Sequence, residues 1–335
     1  MYKCKIVAEM SANHNGSLKT AVDTIRAAKR AGADAIKIQT YTADTITLDC
    51  SCPEFMAQGL WEGTRLYDLY KQAYTPWEWH EEIFRVAREE GLECFSTPFD
   101  KTAVDLLQSL DNPIYKIASF EITDIPLIEY AAQKMRPMVI STGIATEGDI
   151  RLAVETCRAV GNNDITLLKC TSSYPAPIEE ANLCMIKNLA ERFKVKSGLS
   201  DHTIGSVSSI VAVTQGATMI EKHFIIDRSI GGPDASFSMN EQEFTQMVKD
   251  IRMAEASIGY VSYELTDKMK SGRKFCRSLY VAENMKVGEI ITEQNIRSVR
   301  PGFGLHPKYL KGILGKRVNQ NLKKGMRFAL EFVDC

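Results

Sequence analysis

The fold of this chain is indicated by the stretch KIVAEMSANHNGSLKTAVDTIRAAKRAGADAIKIQTY, residues 5–41. Two short apolar runs, 5–11 and 35–41, flank an amphipathic stretch with apolar residues at helical spacing and a Gly at its end. A strand, a helix and a second strand in this order predict a parallel β–α–β unit.

The same unit recurs along the chain. Amphipathic stretches such as EGDIRLAVETCRAVG (147–161) separate most of the strand-like runs. Eight such pairs in roughly 260 residues predict a (β/α)8 barrel rather than a doubly wound sheet, which usually has fewer strands and a Gly-rich first turn. The predicted strands are KIVAEMS (5–11), AIKIQTY (35–41), ECFSTPF (93–99), IYKIASFE (114–121), PMVISTG (137–143), ITLLKCTS (165–172), VKSGLSDHT (195–203) and MIEKHFII (219–226).

The composition excludes several classes of protein. Of 335 residues, 44% are hydrophobic and 25% are charged, and the net charge is -1. This balance supplies no basic excess for nucleic acid, and there is neither an apolar run of membrane-spanning length nor a signal-peptide pattern. We therefore expect a cytoplasmic protein without a nucleic-acid or membrane partner.

The cysteines are scattered and are expected to be reduced. The Cys50–Cys52 pair lacks the second pair that a zinc site would need.

The pattern changes after residue 260. Short alternating runs separated by Gly turns, as in MKVGE and LKKGM, predict a small β-rich domain. We assign residues 1–262 to the barrel, 263–275 to a linker and 276–335 to this domain. A core of this size is marginal, so the small domain is expected to pack on its own barrel or on that of a partner.

Polar side chains cluster toward the carboxyl ends of the predicted strands, which is where active sites of such barrels are built. The exposure of the following loops to solvent accounts for single Ser and Thr residues at strand ends. It does not account well for lysines inside strands, because burying an unpaired ammonium group is costly. The polar residues at these strand ends are Glu9, Lys37, Gln39, Thr97, Lys116, Ser119, Ser141, Thr142, Ser172, Ser200, His202, Glu221 and His223.

Two histidines would end the seventh and eighth strands, His202 in SDHT and His223 in EKHF. Imidazole suits Mn, Zn or Fe, and two such ligands leave positions open for water or substrate, as in a catalytic metal site. A single His is more often a core or surface group. The paired placement, with Asp201 and Glu221 close by, favours a metal site.

Lys37 and Lys116 lie among apolar neighbours, which favours an anionic ligand with the hydroxyls of Thr97, Ser119, Ser141, Thr142 and Ser172 as further donors. The alternative is an internal ion pair with Glu9, Glu121 or Glu221. Glu9 is in addition a candidate for proton transfer on the first loop.

Twelve short motifs occur in this order along the chain: AEMSANHNGS, ADAIKIQTY, CFSTPFD, YKIASFE, STGIAT, LLKCTSSYP, GLSDHT, IEKHF and GGPD, then RSLY, SVRPGFGLHPK and LGK. In these motifs the chain resembles the sialic acid synthase family over nearly its whole length. The resemblance implies a (β/α)8 barrel followed by an antifreeze-like (SAF) domain, a domain-swapped homodimer, a divalent metal (Mn or Mg), and condensation of phosphoenolpyruvate with a sugar.

Within that family, SANHNGS, LKCTSSYP and RPGFGLHPK are most similar to the branch with a bacillosamine-type acceptor. Its members join phosphoenolpyruvate to 2,4-diacetamido-2,4,6-trideoxy-L-altrose, and the resemblance implies pseudaminic acid, destined for surface or flagellar glycans, and phosphate as products. Branches that form N-acetylneuraminic or legionaminic acid are the first alternative. A metal-dependent barrel aldolase or isomerase is a second, and an ice- or carbohydrate-binding protein without turnover a third.

The resemblance also implies roles for single residues. It places the metal on His202 and His223. The phosphoenolpyruvate would contact Lys37, Thr97, Lys116, Ser119, Ser141 and Ser200, with Ser172 where the family typically has Asn; the sugar would contact Glu9, Gln39, Tyr174 and Asp234. Arg300 is similar to the arginine that reaches the sugar across the homodimer.

Overall fold

A computed structural model describes residues 3–58 and 61–334. Eight parallel strands form a closed barrel in chain order, with β8 pairing back onto β1, which confirms the predicted fold class. The strands are β1 (Lys5–Glu9), β2 (Ala35–Thr40), β3 (Glu93–Pro98), β4 (Tyr115–Ile117), β5 (Met138–Ser141), β6 (Ile165–Cys170), β7 (Lys196–Asp201) and β8 (Met219–His223).

Helices connect the strands, and two short ones are inserted between β2 and β3. The helices of this part are α1 (Leu18–Arg30), α2 (Ala43–Ile46), α3 (Leu66–Ala73), α4 (His80–Glu89), α5 (Lys101–Ser109), α6 (Ile125–Ala132), α7 (Glu147–Ala159), α8 (Cys184–Phe193), α9 (Val207–Thr214) and α10 (Glu241–Ile258). In α1, Ser17 caps the first turn by accepting from the Thr20 N–H at 3.2 Å, while Ala21, Ile25 and Ala28 form its buried face.

The inward-facing side chains of the strands form two layers inside the barrel, an apolar layer and a polar layer. Because side chains alternate across a strand, one set faces the barrel axis and the other faces the helices. The inward set begins with apolar residues that form a separate core cluster: Val7, Ala35, Phe95, Ile114, Val139, Leu168 and Met219. Two positions further along most of these strands, the inward residues are polar, and they form the site described below.

Gly198 is the inward residue of β7 at the apolar layer. A Cβ there would lie 2.2 Å from the Met219 carbonyl oxygen and 2.8 Å from Leu168 Cδ2, so no larger residue fits without displacing the barrel wall. The glycine lets three neighbouring strands close tightly beneath the polar layer.

The fourth strand is shorter than predicted. It ends at Ile117, and Ser119–Glu121 form a 3-10 turn instead of continuing the strand. Because the turn follows directly after the end of β4, Ser119 lies at the mouth of the barrel.

The chain divides into two compact units, Met1–Gly259 and Tyr260–Cys335. The second unit contains α11 (Asp267–Gly272), α12 (Leu310–Ile313) and the antiparallel strands β9 (Ser278–Val281) and β10 (Ile296–Val299). Its own core includes Leu279, Ile296 and Phe328, which are fully buried. The segment 263–275, expected to be a linker, therefore includes a helix. Within the described residues, no helix is both long and apolar enough to cross a membrane.

Candidate active site

The polar layer opens at the carboxyl end of the barrel, where strand ends from most of the wall converge. A small polar space lies there, and a wider cavity of about 450 Å³ adjoins it, sharing Gln39, Tyr174 and His223. The predicted residues that line the small space are Glu9, Lys37, Gln39, Thr97, Lys116, Ser119, Ser141, Tyr174, Ser200, His202, Glu221 and His223. The barrel topology therefore brings these separate stretches of sequence together.

The two histidines lie side by side, with ring centroids 5.3 Å apart. His202 Nδ1 lies 3.0 Å from the Thr171 carbonyl oxygen. Since a carbonyl only accepts, Nδ1 carries the proton, and in the neutral ring Nε2 keeps its lone pair. His223 Nδ1 is buried and has no hydrogen-bond partner among the described residues. Both rings therefore have a nitrogen available to a ligand.

The charge state of His223 supports this reading. Burial, reinforced by His202, Lys37 and Lys222, holds its pKa well below its ordinary value, so the ring is neutral. Neutral imidazole is the form that binds metals. The described part of the chain contains no cluster of three or more His, Cys, Asp or Glu residues arranged to hold a metal. A cation here would therefore be bound by two imidazoles and would complete its coordination with water or substrate.

The pKa of His202 is shifted in the opposite direction. Burial opposes its charge, but Cys170 Sγ at 3.7 Å and the Thr171 carbonyl outweigh that effect and raise the pKa. Cys170 is the inward residue at the end of β6 and was not among the predicted site residues. A buried Cys in an apolar run does not by itself differ from a small core residue, so nothing in the sequence singled it out.

Lys37 is held between two carboxylates. Its Nζ lies 2.5 Å from Glu9 Oε2, 3.6 Å from Glu221 Oε1 and 3.1 Å from Thr97 Oγ1. Burial opposes its charge, but Glu221 and Glu9 outweigh that effect and raise the pKa of Lys37. The internal ion pair, which was the alternative to an anion site, is therefore present for this lysine.

The two carboxylates differ. Burial raises the pKa of Glu9 to about 7, although Lys37 opposes the shift. Burial also disfavours ionised Glu221, but Lys37 and Lys116 outweigh it and lower its pKa, and Ser200 Oγ donates to its Oε1 at 3.2 Å. At neutral pH, Glu221 is the constant negative charge and Glu9 is the group that can exchange a proton.

Lys116 is in a different position. Its Nζ donates to Ser141 Oγ at 2.7 Å and to the Ile117 carbonyl at 2.9 Å. No carboxylate of the described residues lies within 4.0 Å of it, although the side chain is buried. Burial lowers the pKa of Lys116, a shift that Glu221 opposes. A buried ammonium whose contacts are neutral oxygens suits an added anion.

A cradle of small groups adjoins Lys116. The Gly143 N–H donates to Ser119 Oγ at 3.1 Å, and a Cβ on Gly143 would lie 2.1 Å from Ser172 Oγ. Only glycine therefore allows the two hydroxyls to approach this backbone. Ser172, the position where the family typically has Asn, therefore lies against the Gly143 backbone.

The wider cavity combines aromatic and polar walls. Tyr174 lies between the histidines and an aromatic rim, with ring centroids 4.3 Å from His202, 5.2 Å from Phe237 and 6.4 Å from Trp61. Gln39 Nε2 donates to Ser11 Oγ at 3.0 Å and to Glu9 at 3.3 Å. Such a surface, apolar with a few placed polar groups, is typical of small-ligand sites.

Two acidic groups also line this cavity. Asp234 Oδ2 lies 3.9 Å from His223 Nδ1 and accepts from the Ala12 N–H at 3.4 Å. Glu121 Oε2 is buried without a hydrogen-bond partner among the described residues, and burial raises the pKa of Glu121 to about 7. The sequence analysis proposed Glu121 only as an ion-pair partner for a lysine; in the structure it lines the cavity, and its Oε2 has no hydrogen-bond partner among the described residues.

One acid of the sequence interpretation is corrected, and one arginine lies outside the barrel unit. Asp201, noted beside His202, points away from the site and pairs with Lys222, with Nζ 2.9 Å from Oδ2, on the helix side of the wall. The reason is the alternation of the strand, which places neighbours on opposite faces. Arg300 follows β10 in the second unit.

The fold and the site define a (β/α)8 barrel protein with two buried lysines and a histidine pair at its mouth. The chain belongs to the NeuB family: residues 24–263 match that family, and residues 277–326 match the SAF domain. These matches confirm the predicted resemblance and the order of barrel and SAF domain.

Individual relatives support the same assignment. The chain is 49% identical to the pseudaminic acid synthase of Helicobacter pylori, over 95% of this chain and 94% of that protein. It is 35% identical to the N,N'-diacetyllegionaminic acid synthase of Legionella pneumophila, over 99% and 95%. The crystal structure of the spore coat polysaccharide biosynthesis protein SpsE of Bacillus subtilis matches with a TM-score of 0.67 and 34% identity, covering 99% of this chain and 95% of its own.

Proposed function

We propose that the chain is a pseudaminic acid synthase, an enzyme that condenses phosphoenolpyruvate with 2,4-diacetamido-2,4,6-trideoxy-L-altrose and releases phosphate. The observation that carries the proposal is the 49% identity to a pseudaminic acid synthase, against 35% to a legionaminic acid synthase of similar coverage. The site agrees with the chemistry, since Lys116, which has no salt bridge among the described residues, lines the small polar space next to a cavity of about 450 Å³.

Phosphoenolpyruvate is assigned to the small polar space. Lys116 supplies the charge, and the hydroxyls of Ser119, Ser141 and Thr97 and the Gly143 region supply hydrogen bonds. Lys37 remains tied to Glu9 and Glu221, so its main effect is to orient those carboxylates and to add positive potential. The protein thus acts through position and electrostatics rather than through a covalent intermediate.

The acceptor sugar is assigned to the wider cavity, against Gln39, Tyr174, Asp234 and Glu121. Its carbonyl carbon would meet C3 of phosphoenolpyruvate where the two spaces join. Attack by C3 forms the new C–C bond and leaves C2 electron-deficient; water adds to C2, and the C–O bond to phosphate then breaks. In this proposal Glu9, whose pKa burial raises to about 7, takes the proton from that water.

A divalent cation, Mn or Mg, fits the two free imidazole nitrogens of His202 and His223. When bound, it would act as a Lewis acid that polarises the sugar carbonyl. We also propose that residues 263–275 join the barrel to the C-terminal domain, and that Arg300 contacts the sugar in the barrel of a partner chain in a domain-swapped homodimer.

The test is phosphate release from phosphoenolpyruvate with three acceptors assayed side by side: the diacetamido-altrose, N-acetylmannosamine and the 6-deoxy-mannose-type diacetamido sugar. We expect the first to give the highest kcat/KM by at least about tenfold. A preference for either of the others would assign the chain to another branch of the family. Turnover without phosphate release would indicate an aldolase or isomerase.

A further inference from the structure

Two thiols lie next to each other at the start of the loop that follows α2. Cys50 Sγ and Cys52 Sγ are 2.8 Å apart, and the Cys52 N–H donates to Cys50 Sγ at 3.3 Å. Cys52 is exposed and Cys50 is half-exposed. A disulfide has its sulfurs about 2.04 Å apart, so bond formation needs a movement of less than about 1 Å.

Three buried cysteines differ from this pair. Cys4, Cys94 and Cys157 are buried, and burial raises the pKa of each thiol. For Cys50, the Cys52 thiol and then the Cys52 N–H lower the pKa. A thiolate that is both stabilised and accessible is the nucleophile of thiol–disulfide exchange.

We propose that Cys50 and Cys52 form a redox-active dithiol that closes to a disulfide by exchange with a low-molecular-weight disulfide. The Cys50 thiolate attacks one sulfur of that molecule, which releases one thiolate and leaves a mixed disulfide on Cys50. The Cys52 thiolate then attacks Cys50 Sγ, forming the Cys50–Cys52 bond and releasing the second thiolate. Two protons pass to solvent; the dithiol is oxidised and the small disulfide is reduced.

The loop connects this dithiol to the acceptor cavity. Asp49, adjacent to Cys50, accepts from Arg65 Nη1 at 2.8 Å, and the same guanidinium binds Asp68 at 2.7 Å in the first turn of α3. Between these points, Ala57, Gln58 and Trp61 line the cavity. We infer that closing the ring displaces this wall and weakens acceptor binding, a consequence that rests on the proposed function.

The first experiment treats the full-length protein with oxidised glutathione and follows each cysteine by peptide mass spectrometry. We expect the peptide with Cys50 and Cys52 to lose two hydrogens, at least about tenfold faster than the exposed single thiols Cys184 and Cys276 gain a glutathionyl group. Cys52→Ser should instead trap the mixed disulfide on Cys50, and dithiothreitol should reverse both products.

Three results would each overturn the redox site: an unchanged wild-type peptide, a stable mixed disulfide in the wild type, or a rate equal to that of Cys184.

The effect of the disulfide on catalysis is measured in a Cys184→Ser/Cys276→Ser background once turnover has been established. Oxidation should raise the acceptor KM by about tenfold and leave the phosphoenolpyruvate KM unchanged. Disulfide formation without any change in KM would refute the coupling to the cavity and leave the redox site standing.

Discussion

The buried ion pair between Lys222 and Asp201 provides the sharpest test of how the histidines are held. Lys222 Nζ contacts Asp201 Oδ2 at 2.9 Å and the Thr203 carbonyl at 2.6 Å, and both charged side chains are 1% exposed. Each residue directly precedes a histidine of the site, His223 and His202. The pair therefore joins β7 to β8 on the helix side, opposite the face where the histidines lie.

The perturbation is Lys222→Met, which keeps the length of the side chain and removes its charge. Asp201 would keep its bonds from the Ser209 hydroxyl at 2.7 Å and the Thr203 N–H at 2.9 Å, but its carboxylate would have lost its cation in a dry environment. Leaving one partner of a buried ion pair unpaired costs about 3–5 kcal/mol of folding free energy. The double variant Lys222→Met/Asp201→Asn removes the stranded charge, so we expect it to recover at least about 2 kcal/mol.

The assay is urea unfolding followed by tryptophan fluorescence. The chain has three tryptophans, Trp61, Trp77 and Trp79, and all belong to the barrel unit, so the signal reports that unit alone. Lys19→Met is the matched control, because Lys19 pairs with Asp23 at 2.6 Å on the surface. Exposed pairs of this kind contribute about 0–1 kcal/mol.

Two results would refute this reasoning. A loss below about 1 kcal/mol for Lys222→Met would mean that water or a rearranged hydroxyl replaces the ammonium. Additive losses in the double variant would mean that the two residues stabilise the wall independently rather than as a pair. If the reasoning holds, Lys222→Met should also weaken Mn binding at the mouth, measured by titration, although the residue itself cannot reach the cation.

Four further outcomes are expected. His223→Ala should abolish metal-dependent turnover and Mn binding while the circular dichroism spectrum stays native; a normal metal requirement would exclude His223 as a ligand. Burial raises the pKa of Glu121 to about 7, so Glu121 should contribute a loss of stability of at most about 3 kcal/mol as the pH rises from 5 to 8; Glu121→Gln should remove this share and leave that of Glu9, and identical pH profiles in urea unfolding would contradict it. Arg300→Ala should raise the acceptor KM far more than the phosphoenolpyruvate KM, and equal changes would leave Arg300 without a role in sugar binding. Lys116→Met should raise the thermal midpoint of the ligand-free protein while removing its stabilisation by phosphoenolpyruvate, whereas a lower midpoint would mean that Lys116 already has a counter-charge.

The barrel and much of its mouth could be predicted because β-strands alternate with period two. In β2 the inward residues are Ala35, Lys37 and Gln39, and in β8 they are Met219, Glu221 and His223. A polar residue two positions after an apolar one, at the end of a parallel strand, is therefore visible in the sequence. The same rule applied to Ser200 shows that its neighbour Asp201 must face the helices.

What could not be predicted depends on distances between strands. Lys37 and Lys116 occupy equivalent positions in sequence, each inside an apolar run, yet only Lys37 lies within 4.0 Å of carboxylates. The difference arises from the order of the strands around the barrel, because β2 lies beside β1 and its Glu9, whereas β4 lies on the far side. Glu121 was equally ambiguous, since its position depends on the 3-10 turn that ends β4 early.

The separate environments of the two lysines explain how the barrel can bury so much charge and still fold. The positive charge of Lys37 is offset by the carboxylates of Glu9 and Glu221, so these three side chains are close to neutral without a ligand. Lys116 has only Ser141 and a carbonyl, and its lowered pKa shows that burial opposes its charge. Lys116 therefore lowers the folding stability of the ligand-free protein, and such a loss at a single residue is common in binding sites. If phosphoenolpyruvate binds at Lys116 as we propose, its negative charge would offset this ammonium group, and the same group would then set both substrate affinity and protein stability.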